Sequence, residues 1–132
     1  ISIMVCLDTD IIIDFLKKEK SSFIKISELK NSGEKISTTT INAFELFKGK
    51  NYLSEDSKYE AIDIFLDNVK IWKFTLSSAK KAAEILERLK SQGEIIELTD
   101  IMIASVCISN NESLLTRNTK HFERIPELKL VS

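Results

Sequence analysis

Three carboxylates sit where an apolar run gives way to a new element. They are Asp8 in Val5-Cys6-Leu7-Asp8-Thr9-Asp10, Glu45 in Asn42-Ala43-Phe44-Glu45-Leu46-Phe47, and Asp100 in Leu98-Thr99-Asp100-Ile101-Met102. Each alone has a structural use. Asp8 or Asp10 can cap a helix that begins near Ile11, Glu45 can close a capping box with Asn42, and Asp100 behind Thr99 can complement a helix dipole. Together they support a different reading. In an open parallel sheet the site lies outside the carboxyl ends of the strands. Three carboxylates gathered there repel one another unless a cation sits between them. Hard oxygen ligands suit Mg²⁺ or Mn²⁺, which bind through few carboxylates and leave positions open for phosphate oxygens.

The elements that must carry these acids can be read from hydrophobic spacing. Ile3 to Leu7 is a buried strand, and Ile11, Ile12, Phe15 and Leu16 fall at helical spacing behind it. Phe23, Ile26 and Leu29 mark a second helix stopped at Asn31-Ser32-Gly33, and Lys35 to Thr40 is a second strand. The span from Asn42 to Lys48 is helical, with Gly49 expected as its left-handed terminus. Ser54 to Asn68 predicts another helix, with Tyr59, Ile62, Phe65 and Leu66 inward, and Val69 to Phe74 a third strand. Leu76, Ala79, Ala82, Ala83, Leu86 and Leu89 give a helical stripe that ends at Gly93. Asp100 to Ile108 is apolar almost all round, so it predicts a buried helix, and Ser113 to Thr116 and Leu128 to Val131 are short strands. Strands alternating with helices predict an α/β fold of three layers, α/β/α, with a mainly parallel central sheet. A chain of 132 residues without an internal repeat or linker is expected to be a single domain over residues 1–132.

Composition excludes several classes. Nineteen basic against twenty acidic side chains give a formal charge of −1, so any nucleic-acid contact must be local or helped by cations. Cys6 and Cys107 lie in apolar runs without a CxxC or a Cys/His cluster, as small core side chains of a reducing compartment do. No run of about 18 apolar residues and no signal-peptide pattern is present, so a cytoplasmic protein without a membrane span is expected.

Secondary candidates surround the acids. Thr9 and Thr116 can orient carboxylates or metal-bound water through their hydroxyls, or serve only as turn residues. His121, the one histidine, is read as a surface or substrate contact rather than a general base. Lys17, Lys18, Lys48, Lys50, Arg117 and Lys120 can track a phosphate backbone, though a solvated face is the better reading for any one of them. Trp72, Phe74 and Phe44 are expected to fill the core rather than stack on bases.

Four separated segments, in order, resemble the PIN-domain ribonucleases: Leu7-Asp8-Thr9-Asp10 through Leu16, Ile41-Asn42-Ala43-Phe44-Glu45 through Gly49, Leu98-Thr99-Asp100 through Ser105, and Leu114-Leu115-Thr116-Arg117-Asn118 through Phe122 with Ile125-Pro126-Glu127-Leu128. The closest likeness is to the toxin of VapBC-type toxin-antitoxin pairs, and it covers nearly the whole chain. The resemblance implies a PIN-like fold and a metal-dependent endoribonuclease whose acids bind one or two Mg²⁺ or Mn²⁺ ions. By position Asp8, Glu45 and Asp100 match the family's three acids, and Asn118 falls where members carry Asp or Asn. A neutral fourth ligand puts a fully occupied second metal site in question. Asp10 stands where relatives often have Asn or Ser. The resemblance also implies an RNA substrate, a homodimer and a small VapB-like antitoxin whose tail runs along the active-site groove.

Two rivals remain at this level. Asp8-Thr9-Asp10 behind a strand is similar to the nucleophile motif of haloacid-dehalogenase-like phosphatases, but no acidic pair follows Phe74 or Leu115 as that chemistry expects. The other is a non-catalytic PIN-like module that only binds proteins.

Overall fold

The computed structural model describes residues 4–49 and 58–131. Strands β1 (Met4–Leu7), β2 (Lys35–Thr39), β3 (Lys70–Trp72), β4 (Ser113–Leu115) and β5 (Lys129–Leu130) form one sheet in the order β3-β2-β1-β4-β5, and every neighbouring pair is parallel. The helices are α1 (Thr9–Leu16), α2 (Lys20–Asn31), α3 (Thr40–Lys48), α4 (Lys58–Asp67), α5 (Leu76–Ser91), α6 (Leu98–Ser109) and α7 (Thr119–Phe122). The expected α/β architecture is present, with the sheet parallel throughout. None of these helices is long and apolar enough to cross a membrane.

Successive side chains of a strand point to opposite faces, and β1 supplies both cores. Val5 and Leu7 pack with Ile11, Ile12, Ile26, Leu46 and Ile62 on one face. Cys6 packs on the other with Ile85, Leu89, Ile103, Ala104 and Cys107. Both cysteines are buried free thiols, as expected of core residues. A central strand apolar on both faces needs helices on both sides, and that requirement produces the three layers.

Gly33 and Gly93 take φ of +82° and +70° and stop α2 and α5 as their sequence positions predict. In each case the following amide reaches back to the helix: Glu34 N–H donates to the Leu29 carbonyl and Glu94 N–H to the Leu89 carbonyl. Asn111 and Lys18 take the left-handed conformation after α6 and α1, at φ +53° and +61°. Gly49 does not: its φ is −95°, and its amide continues the helical pattern by donating to the Glu45 carbonyl at 3.0 Å. The helix expected from Ser54 is seen from Lys58, residues 54–57 lying outside the described ones. Along α5 the buried ridge is Ala82, Ile85 and Leu89, whereas Leu76 is 74% exposed, so the inward stripe is rotated from the one the sequence suggests.

The strand order reverses between β1 and β4. There Asp8 N–H donates to the Leu115 carbonyl at 2.9 Å, tying the two strand ends together. In a doubly wound sheet the crevice opens at this switch point.

Candidate metal centre

Asp8 follows β1 and caps α1, accepting from the Thr9 amide at 2.8 Å. The capping expectation is therefore met, yet it uses only part of the carboxylate. Oδ1 also accepts from Asn42 Nδ2 at 3.2 Å, and Oδ2 accepts from the Thr116 hydroxyl at 2.7 Å. Asp8 is 6% exposed. Burial, assisted by the nearby Asp10 and Asp100 charges, pushes its carboxyl up to about 7 against the hydrogen bonds from Thr116 and Thr9.

Glu45 is on α3, one turn after Asn42. Its expected capping role is not what the structure shows. The capping box of α3 pairs Thr39 with Asn42, because Thr39 stands at the N-cap and Asn42 three residues on. Glu45 instead accepts from the Thr9 hydroxyl at 2.6 Å. That hydroxyl in turn accepts from Asn42 Nδ2 at 2.9 Å. The fully buried Asn42 thus connects β2, Asp8 and the Thr9–Glu45 pair.

Asp100 lies in the first turn of α6, and its carboxyl is raised chiefly by burial, with Glu45 and Glu97 adding to the effect. Its Oδ2 is 3.5 Å from His121 Nδ1, which lies 2.8 Å from Asn118 Nδ2. The Asn118 amide is held by the Thr116 hydroxyl at 3.0 Å. Asp10 Oδ2 accepts from the Arg117 amide at 3.0 Å, which ties α1 to the loop after β4. Its Oδ1 is buried without a hydrogen-bond partner.

The sequence candidates Asp8, Thr9, Asp10, Glu45, Asp100 and Asn118 line one cleft of about 350 Å³ together with Ile13, Lys48, Glu97 and His121. Thr116 supports the cleft through Asp8. Asn42 and Glu97 were missed as site residues. Their signals were present in the Thr39-x-x-Asn42 spacing at a helix start and in Glu97 three residues before Asp100. Among the other basic candidates, Lys50 lies outside the described residues, and Arg117 turns to Asp14 at 3.1 Å.

The donor set is oxygen-rich and acidic, as Mg²⁺ and Mn²⁺ require, and the unpartnered Asp10 oxygen adds a free acceptor. Among the described residues no three acidic, His or Cys groups are close enough to hold one ion jointly as they stand. The chemistry of the cleft fits Mg²⁺ through one or two carboxylates with water completing the shell.

The sheet order and the acid-lined switch point define a parallel α/β domain with a cleft whose chemistry suits a divalent cation. The PIN domain model matches residues 5–128. Ribonuclease VapC19 of Mycobacterium tuberculosis is 31% identical over 127 residues, spanning 96% of this chain and 98% of that protein. Ribonuclease VapC2 of Rickettsia felis is 32% identical over 125 residues, spanning 94% and 93%. The crystal structure of VapBC2 from Rickettsia felis bound to a DNA fragment from their promoter contains a chain that superposes with a TM-score of 0.87 at 29% identity, covering 98% of each chain. The chain belongs to the PIN-domain family and, within it, to the VapC ribonuclease toxins of type II toxin-antitoxin systems. The phosphatase alternative is set aside by this membership.

Proposed function

We propose that this chain, as one domain over residues 1–132, is a divalent-metal-dependent endoribonuclease and the toxin of a toxin-antitoxin pair. The observation that carries the reading is the convergence of Asp8, Glu45 and Asp100 on one cleft at the switch point, with the Asp8 carboxyl pushed up to about 7 by burial and neighbouring acids. A site that raises its own acid this far gains most when a cation enters.

Asp8, Glu45 and Asp100 would hold Mg²⁺ or Mn²⁺, one or two of them directly and the rest through water of its shell, with Asn118 as a neutral fourth donor. When bound, the cation would offset phosphate charge and make a water nucleophilic near neutral pH. The chain's own groups prepare that event. Thr116 and Asn42 fix the two oxygens of Asp8, Thr9 aims Glu45, and the Lys48 ammonium on the cleft wall draws the phosphodiester in. The Asn118–His121 contact and the neutral amide favour one firmly held ion over two.

The solved relative is a toxin-antitoxin complex, which supports a VapB-like partner here. An apolar groove of about 810 Å³ runs between α1, α2 and α4, lined by Phe15, Phe23, Ile26, Ile64 and Phe65 and edged by Lys18, Lys20 and Lys30. Phe23 and Ile64 are 57% and 56% exposed. This groove would seat an amphipathic antitoxin helix with acidic flanks, and a basic antitoxin side chain would reach the acid cleft. A homodimer, as the resemblance implies, would cover exposed apolar side chains elsewhere, such as Leu76 and Leu98.

Expression of the chain should slow growth, and coexpression with its antitoxin should restore it. Equal growth with the native protein and with Asp8→Ala would contradict a toxin.

A further inference from the structure

Phe44 does not fill the core as its aromatic side chain suggests. It is 58% exposed, one residue before Glu45 on α3. Lys48 follows one helical turn later, and its Nζ stands 5.7 Å from the centre of the Phe44 ring. The same Lys48 lines the cleft with Asp8, Glu45 and Asp100. The exposed ring therefore stands beside a cation whose side chain also lines the acid cleft. RNA cannot be gripped by bulk charge on a chain of net charge −1 whose cleft carries Asp8, Asp10, Glu45, Glu97 and Asp100. The grip must come from local contacts, and a π-face next to an ammonium provides the two kinds that single-stranded RNA uses.

We propose that Phe44 and Lys48 form the platform for the nucleotide beside the scissile phosphate, Phe44 stacking on its base and Lys48 contacting its phosphate. The assignment rests on the ribonuclease reading above and adds a substrate class to it. A base can stack on Phe44 only when unpaired, so single-stranded or looped RNA is preferred over duplex. Because the ring is exposed, its replacement leaves the core intact.

The test compares the full chain with Phe44→Ala, Phe44→Trp and Phe44→Leu on a mixed-sequence RNA oligonucleotide, single-stranded and as a duplex, in Mn²⁺. Phe44→Ala should raise KM roughly tenfold or more, the range expected for loss of one stacked base, with the loss falling on KM rather than kcat. Phe44→Trp should restore KM and Phe44→Leu should not. Lys48→Gln should weaken binding and reduce its salt dependence by about one ion. In parallel, fluorescence anisotropy of the same labelled oligonucleotide follows binding in an Asp8→Asn background with and without Phe44→Ala. Phe44-dependent binding without cleavage by the native chain would sink the ribonuclease reading and keep the platform. Cleavage with a KM indifferent to Phe44 would do the reverse, and no binding at all would sink both. Rescue by Leu as good as by Trp, with Phe44→Ala lowering the sedimenting mass, would give the ring to a second copy of the chain and overturn the proposal.

Discussion

Thr116, the residue after β4, donates its hydroxyl to Oδ2 of Asp8, the residue after β1, at 2.7 Å. The two are far apart in sequence and meet only because the sheet reverses its order between their strands. Both are buried. Replacing Thr116 by Val keeps the shape and leaves a buried carboxylate oxygen without its donor, which costs about 1–3 kcal/mol. Thr116→Ser should recover most of that loss. Thermal melts and RNA cleavage of the two variants check it; a Thr116→Val protein equal to the native one in both would show that the bond holds nothing in place.

Stability of the metal-free protein should fall as pH rises. The Asp8 carboxyl titrates near 3.8 when unfolded and about 7 when folded, so between these values the folded chain holds a proton that the unfolded chain has released. Folding then binds protons, and this contribution declines from pH 4 to 7 by an amount on the order of a few kcal/mol. Asp8→Asn should flatten the decline, and Mn²⁺ should offset it above neutral pH. Melting temperatures in chelator and in Mn²⁺ across this window decide the matter. A native profile parallel to that of Asp8→Asn would refute the assignment.

Asn42 should be less replaceable than its neutral side chain suggests. Its amide donates to Asp8 and Thr9, while its oxygen accepts from the Thr39 hydroxyl at 2.7 Å. Asn42→Ala removes a fully buried hub, so a loss of about 1–3 kcal/mol with reduced cleavage is expected. Asn42→Asp faces Asp8 with a second carboxylate and should be worse, with partial recovery at low pH. Denaturant melts at pH 5 and 7.5 measure this, and an Asp variant at least as stable as the Ala variant at pH 7.5 would contradict it.

Antitoxin binding and RNA cleavage should be separable. Phe23→Glu or Ile64→Glu places a charge in the groove between α1, α2 and α4, away from the acid cleft. Cleavage should persist while affinity for the antitoxin falls at least tenfold, as loss of a buried apolar anchor predicts. Unchanged affinity by calorimetry would move the antitoxin off the groove.

The acids and the layer order were legible because each depends on local pattern. Apolar β1 ends at Asp8, and the nearly all-apolar α6 carries Asp100 in its first turn. The Thr39-x-x-Asn42 spacing marks Asn42 only as a helix-capping residue, because its bonds to Asp8 and Thr9 cross from one strand end to another and leave no trace in sequence. Gly49 was misread because glycine permits a left-handed terminus without requiring one. Phe44 was misread because an aromatic residue in a helix rich in apolar side chains looks the same whether its helix turns it inward or out.

The most direct test is cleavage itself. A labelled RNA is incubated with the purified native chain in Mn²⁺, in Mg²⁺ and in excess chelator, beside Asp8→Ala in Mn²⁺, and the products are resolved on a denaturing gel. Internal cuts should appear only with the native chain and a divalent cation. Equal cutting in chelator, or by Asp8→Ala, would contradict a metal centre built on the carboxylates at the switch point.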